Sequence, residues 1–440
     1  MTTKALPLLL LGTLSASFTA TADLLIYAGQ LIDGKSNTPQ KKMTLVVDND
    51  RIKDIKRGYI KPKSEDEVID YRQGTVMPGF IDMHTHLSFQ MSSNSYMEPY
   101  TLNPADIALR GTLFAKKTLK AGFTTVRELG DSGNASVALR TAINKGYVQG
   151  PTIYTAGKSI ATTGGHADPT NGRKLSMMAD PGPKQGVING EDDAYKAVRQ
   201  RYKEGADLIK ITATGGVLSM AKSGQNPQFT DRELTAIVAA SKDYGFKVAV
   251  HGHGKEGIKR AILAGVNTIE HGTYLDKETF ALMKKHKVAL VPTLSAGAFV
   301  VEKAKIDGYF PEIVRPKAAS IGPKMQDMFS RAYKAGVTIA FGTDAGVGAH
   351  GENGKEFALM VNAGMPEMKA IQSATSVAAE VLGVDDIGHL AKGKRADIVA
   401  VKGNPLKDIT LLEKPSLVIK AGKVVESLRV LFPAACCENR

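Results

Sequence analysis

Through the middle of the chain one unit recurs: a helical stretch runs into a glycine, and β-branched or aromatic residues often begin at once. The junctions are Ala121-Gly122-Phe123, Glu204-Gly205-Ala206, Tyr244-Gly245-Phe246, Ala264-Gly265-Val266 and Ala335-Gly336-Val337. Glycine accepts the left-handed conformation that ends a helix. The stretch before one junction opens with Thr230-Asp231-Arg232-Glu233, a capping box, and continues with an apolar face of Leu234, Ile237 and Val238. Runs such as Val248-Ala249-Val250 and Thr338–Phe341 are almost continuously apolar, as parallel strands covered on both faces require. Repeating βα units over roughly 300 residues predict an α/β chain built on a (β/α)8 barrel. The rival, a doubly wound open sheet, lacks the G-x-G-x-x-G turn that would support it.

The two ends have a different texture. Leu24–Ile32, Met43–Val47, Arg51–Ile55 and Glu67–Tyr71 are short β-rich runs, with turn signals at Asp33-Gly34 and Asn49-Asp50. Asp397–Val401, Leu417–Ile419 and Lys423–Val425 repeat that texture late in the chain. A chain of 440 residues exceeds what one core usually holds. The expected organisation is a small β-sandwich assembled from residues 23–79 and 388–432, flanking a barrel over 80–387. Residues 1–22 read as a cleaved signal peptide: Lys4, an apolar run from Ala5 to Leu11, then small residues to Ala20-Thr21-Ala22. The run is too short for the ~20 residues of a membrane span, so no membrane anchor is expected. A periplasmic or secreted protein starting near Asp23 follows from this reading.

The 2 cysteines, Cys436 and Cys437, sit in the tail of residues 433–440, where they neither staple a fold nor form a metal site. The net charge of +13 is dispersed without basic runs or interleaved aromatics, which argues against nucleic acid and favours small anionic substrates.

The chemistry-bearing residues fall at the ends of the strand-like runs. In Phe80-Ile81-Asp82-Met83-His84-Thr85-His86, alternate strand residues point the same way, so His84 and His86 can hold one ion together. Alone, two surface histidines would explain such a pair. However, His251 follows Val248-Ala249-Val250, His271 follows Thr268-Ile269-Glu270, and Asp344 follows Ala340-Phe341-Gly342-Thr343. In a (β/α)8 barrel these C-terminal strand ends converge on one face, and the set predicts a metal site there. Lys210 ends the run Ala206-Asp207-Leu208-Ile209 in the same series. An ammonium beside metal cations is repelled, whereas carboxylation by CO2 turns it into an anionic carbamate able to bridge two ions.

The order His-x-His, Lys, His, His, Asp resembles the ligand pattern of the amidohydrolase superfamily in its binuclear, lysine-carbamate form. Val76-Met77-Pro78-Gly79-Phe80-Ile81-Asp82, Gly122-Phe123-Thr124-Thr125-Val126-Arg127 and Gly393-Lys394-Arg395-Ala396-Asp397 strengthen the resemblance, which spans essentially the whole mature chain. Within the superfamily the chain looks most like the prolidase branch related to imidazolonepropionases. Imidazolonepropionase is a one-metal enzyme without the bridging lysine, so Lys210 argues against that activity. The resemblance implies two divalent ions, zinc being expected: His84, His86 and Asp344 on one, His251 and His271 on the other, and carboxylated Lys210 between them. It further implies a metal-bridging hydroxide that attacks an amide carbonyl, with Asp344 shuttling the proton and with His166 and Tyr274 gripping the substrate carbonyl or carboxylate. His253 is expected in an outer layer and His350 near the pocket mouth; His286 and His389 read as ordinary.

The implied substrates are Xaa-Pro dipeptides or N-acyl amino acids. The alternatives are an amidase on aromatic N-acyl amino acids such as ochratoxin, and a cyclic-amide hydrolase or deaminase. A non-catalytic scaffold is disfavoured because all six ligand positions are filled. A homo-oligomer is expected.

Overall fold

The terminal strands are built on two-residue alternation. In the computed structural model, which describes residues 22–425, the chain opens with β1 (Leu24–Leu31), β2 (Gln40–Asp48), β3 (Arg51–Arg57) and β4 (Glu67–Pro78). The expected signal segment, apart from Ala22, and the tail with Cys436 and Cys437 lie outside the described residues. Along β1, Ile26 and Ala28 join one hydrophobic cluster and Leu25 and Tyr27 another, as successive side chains on a strand must.

The central strands follow in order: β5 (Phe80–Thr85), β6 (Phe123–Glu128), β7 (Thr152–Thr155), the short β8 (Ala161–Thr162) and β9 (Val187–Ile188), then β10 (Ile209–Thr212), β11 (Val248–Gly252), β12 (Thr268–His271) and β13 (Ala289–Val291). β5, β6 and β7 make one parallel sheet, and β10 to β13 another. Backbone contacts link the two sheets. Asp207 N donates to Thr155 O at 2.7 Å, and Ile160 pairs with Ile211. On the other side, Ile339 pairs with Leu290, and Met83 N donates to Phe341 O at 2.9 Å. The strand expected at Thr338–Phe341 is therefore an extended segment held on both sides rather than a regular strand.

Helices connect the strands. Thr230 and Glu233 cap the helix Asp231–Asp243 reciprocally, as the capping box requires. All five junction glycines, Gly122, Gly205, Gly245, Gly265 and Gly336, take positive φ. Ile209, Ile211, Val248, Val250 and Ile269 pack outward in one cluster with Leu234, Ile237, Ile258, Phe280 and Met283 from the helices. Each such side chain contributes roughly 1.5–3 kcal/mol by leaving water. The alternate positions, Lys210, Thr212, His251 and Glu270, are left for the interior.

Finally β14 (Ile398–Lys402), β15 (Leu417–Lys420) and β16 (Lys423–Val424) return to the terminal sheet. β4 is long enough to pair in parallel with β1 through its first part and antiparallel with β14 through its last, so both ends of the chain meet along it. The product is one seven-stranded sheet, ordered β16-β15-β14-β4-β1-β2-β3, where two separate layers were expected. Ile26, Met43, Leu45 and Val47 share a cluster with Ile398, Ala400, Leu417 and Ile419, so strands from both ends of the chain contribute to one core.

Candidate metal centre and substrate cavity

His84 and His86 leave the end of β5 on one side of it, and Asp344 follows the extended segment beside them. The Nε2 atoms of His84 and His86 lie 3.4 and 3.2 Å from Asp344 Oδ1. Each ring is anchored from behind. His84 Nδ1 faces Glu270 Oε2 at 3.0 Å and His86 Nδ1 faces the carbonyl of Gly130 at 3.0 Å. These partners only accept, which places the hydrogens on Nδ1 and leaves an Nε2 lone pair on each ring directed at Asp344. Asp344 Oδ1 is itself buried and accepts no hydrogen bond. A proton on His86, whose pKa Asp344 raises against the opposing effect of burial, would satisfy only one of the two rings. His84 is held to about 4, chiefly by burial and by the charge of Lys210. Three lone pairs converging at one point are a donor set that could hold a cation.

A second group faces the first: His251, His253 and His271 present ring nitrogens within 4.8 Å of one another. His251 Nε2 donates to Gly215 O at 3.2 Å, which frees its Nδ1. His271 Nδ1 meets Thr293 Oγ1 at 2.7 Å and His253 Nδ1 meets Thr273 Oγ1 at 2.8 Å. Burial, with mutual repulsion, holds His251 and His271 well below the usual histidine pKa. Burial also brings His253 to about 4. Neutral imidazoles are what a metal binds. His253, expected in an outer layer, stacks on His271 at 5.0 Å inside this trio. His251-Gly252-His253 repeats the spacing of His84-Thr85-His86, a signal that could have found it.

Lys210 lines the same cavity as both groups, and burial lowers its pKa to about 8. His271, Thr293 and Asp344 all adopt positive φ, at 68°, 52° and 58°. Such backbone costs on the order of 1–3 kcal/mol per residue and concentrates at functional sites.

Behind these two groups lies a buried charged layer not anticipated from the sequence. Glu270 Oε1 accepts from Arg127 Nη2 at 2.7 Å and Thr268 Oγ1 at 2.5 Å. Burial alone would raise its pKa, but Arg127 and His84 hold it at about 2. Asp82 accepts from His84 N, from Thr343 N and Oγ1, and from Asn353 Nδ2, tying β5 to the loop that carries Asp344.

The cavity over this centre measures about 650 Å³. His166 lines it, stacked on His251 at 4.2 Å, with Nδ1 buried and unpartnered. Burial, then His253 and Lys210, lowers its pKa to about 3. A Cβ at position 216 would overlap the His166 ring, so glycine is needed there for the imidazole to sit where it does. Tyr274 does not line the cavity. Its hydroxyl lies 3.4 Å from Lys324 Nζ, in a separate depression with Pro323 and Arg331. The structure therefore does not bring Tyr274 into the cavity that His166 lines. His350, expected near the mouth, packs behind the wall. It stacks on Phe114 at 4.6 Å and donates from Nε2 to Phe89 O at 2.8 Å.

A model of the Amidohydrolase family matches residues 75–425. The chain belongs to the amidohydrolase family. As an amidohydrolase it is a hydrolase of amide bonds. It is 31% identical to the ochratoxinase of Aspergillus niger over 95% of this chain and 88% of that protein. A Xaa-Pro dipeptidase crystallised with methionine in its active site is 55% identical, with a TM-score of 0.90 over 92% of this chain and all of the other. A prolidase complexed with N-methylphosphonate-L-proline is 30% identical, with a TM-score of 0.84 over 92% of this amidohydrolase and 99% of the prolidase.

Proposed function

We propose that this amidohydrolase cleaves small amides whose released amino acid carries a free α-carboxylate, either Xaa-Pro dipeptides or N-acyl amino acids. The observation that carries the reading is the pair of facing ligand groups, with Lys210, in one cavity. Its support among relatives is the 55% identical Xaa-Pro dipeptidase. His84, His86 and Asp344 would hold one divalent ion and His251 and His271 the other, zinc suiting this nitrogen and oxygen set. When bound, the ions supply an activated water and polarise the substrate carbonyl.

The chain's own residues do the rest. Neutral Lys210 amine would add to CO2, forming an N–C bond and releasing a proton, and the carbamate would offer two anionic oxygens to the ions held by the two groups. A pKa near 8 leaves a useful fraction of free amine at neutral pH. Asp344, whose pKa His84 and His86 hold below the usual carboxylate value despite burial, stays ionised to accept a proton and return it to the leaving amine. His166 orients the substrate from the cavity wall. In this reading the two parallel sheets are arcs of one closed (β/α)8 barrel, with the terminal sheet as its sandwich domain. The protein is exported after cleavage near Asp23 and assembles as a homo-oligomer.

Apolar walls formed by Phe89, Leu218, Val300 and Met325, together with the ochratoxinase relative, favour a second reading: an amidase on aromatic N-acyl amino acids. Purified protein is to be assayed by ninhydrin on Xaa-Pro dipeptides, N-acyl aromatic amino acids, cyclic ureas and nucleobases. Release of an amino acid is expected. Activity confined to cyclic ureas or nucleobases overturns the proposal.

A further inference from the structure

The cavity carries more positive charge than the metal centre uses. Arg110, Lys158, Arg173 and Lys210 all line it. Arg110 is neutralised by Glu98, which accepts two hydrogen bonds from it at 2.8 and 2.9 Å. Lys210 stands among the ligand residues. Lys158 and Arg173 remain. Among the described residues neither side chain has an ion-pair or hydrogen-bond partner, and Arg173 only rests over the Tyr100 ring at 5.4 Å.

Lys158 sits between β7 and His166, and burial lowers its pKa. Asp131 and Asp168 act on it only through space. Asp131 Oδ2 is engaged by Ser136 while its Oδ1 is buried without a hydrogen-bond partner, and both oxygens of Asp168 are engaged by Gly164 and Thr170. A largely buried ammonium that two carboxylates attract without touching it gains from a ligand whose anion makes direct contact. Val217, Leu218, Ile321 and Met325 add apolar wall for an uncharged side chain.

We infer that Lys158, flanked by Arg173, is the subsite that binds the α-carboxylate of the scissile substrate and of the amino acid released from it. The inference rests on the amide-hydrolase reading above and names the residues that would set its specificity.

The test compares the best substrate from the assay panel with its C-terminal amide, in wild type, K158M, K158R and R173M. It adds calorimetric binding of the released amino acid. Wild type is expected to prefer the acid. K158M should reduce the acid-over-amide ratio of kcat/KM by roughly 10- to 100-fold, the worth of a charge-assisted hydrogen bond, mainly through KM. K158R should recover part of the preference, and the amino acid should bind K158M more weakly. R173M, which removes only the flanking charge, should reduce the ratio less and keeps the test open if K158M fails to fold. Equal wild-type rates on acid and amide, or equal losses on both in K158M, overturn the subsite. A panel in which no amino acid is released overturns the amide-hydrolase reading instead.

Discussion

Replacing Glu270 by glutamine tests the layer that holds His84. Glu270 Oε2 faces His84 Nδ1 at 3.0 Å while Oε1 takes the Arg127 guanidinium at 2.7 Å, and its side chain is fully buried. Glutamine keeps the shape but leaves Arg127 charged in a dry interior. Breaking a buried pair from one side costs about 3–5 kcal/mol. The carboxyl's own ionisation gives a consistent figure: a fall from 4.5 to about 2 corresponds to about 3 kcal/mol of stability. Because the folded pKa is depressed, this stability is fully present above about pH 4.5 and drains away as pH falls toward 2. The unfolding midpoint of E270Q should therefore lie well below wild type at pH 7 and converge on it in acid. The loosened His84 should also weaken metal retention about 10- to 100-fold in chelator competition. Adding R127M to E270Q removes the orphaned charge and should recover part of the lost stability. A single E270Q variant within about 1 kcal/mol of wild type at pH 7, with unchanged chelator resistance, would refute the reasoning.

The remaining predictions concern the cavity itself. Lys210→Ala should lose most activity and at least one of two divalent ions by elemental analysis, with short carboxylates restoring part of the rate; full activity with two ions retained would make Lys210 structural. Asp344→Asn should fold but lose turnover by roughly 10²–10⁴-fold, since an amide cannot shuttle the proton, and a change in KM alone would contradict that role. Gly216→Ala should displace the His166 ring, which a new Cβ would overlap; kcat/KM should fall while metal content holds, and an unchanged kcat/KM would show that His166 does not orient the substrate.

Much of this protein was legible in its sequence because the relevant physics is local. Glycine is favoured where φ turns positive at a helix end, so Gly122, Gly205, Gly245, Gly265 and Gly336 announced the repeating unit. Alternation on a strand put His84 and His86 on one side, and positions at or near strand ends marked His251, His271 and Asp344, whereas Lys210, expected to end the run Ala206-Asp207-Leu208-Ile209, is the second residue of the strand Ile209–Thr212. What the sequence left open depended on chain segments far apart. Glu270 and Arg127 are charges within strand-like runs, and only pairing across 143 residues turns them into a support for His84. Gly216 gains meaning only from the His166 ring against it, and Lys158 only from carboxylates that attract it without pairing with it. Tyr274, one turn past His271, faces Lys324 because the path of the loop after Gly272 decides its direction, and adjacency in sequence does not. Local conformation is set by a residue and its near neighbours, whereas the partner of a buried charge is set by which distant strand the fold brings beside it.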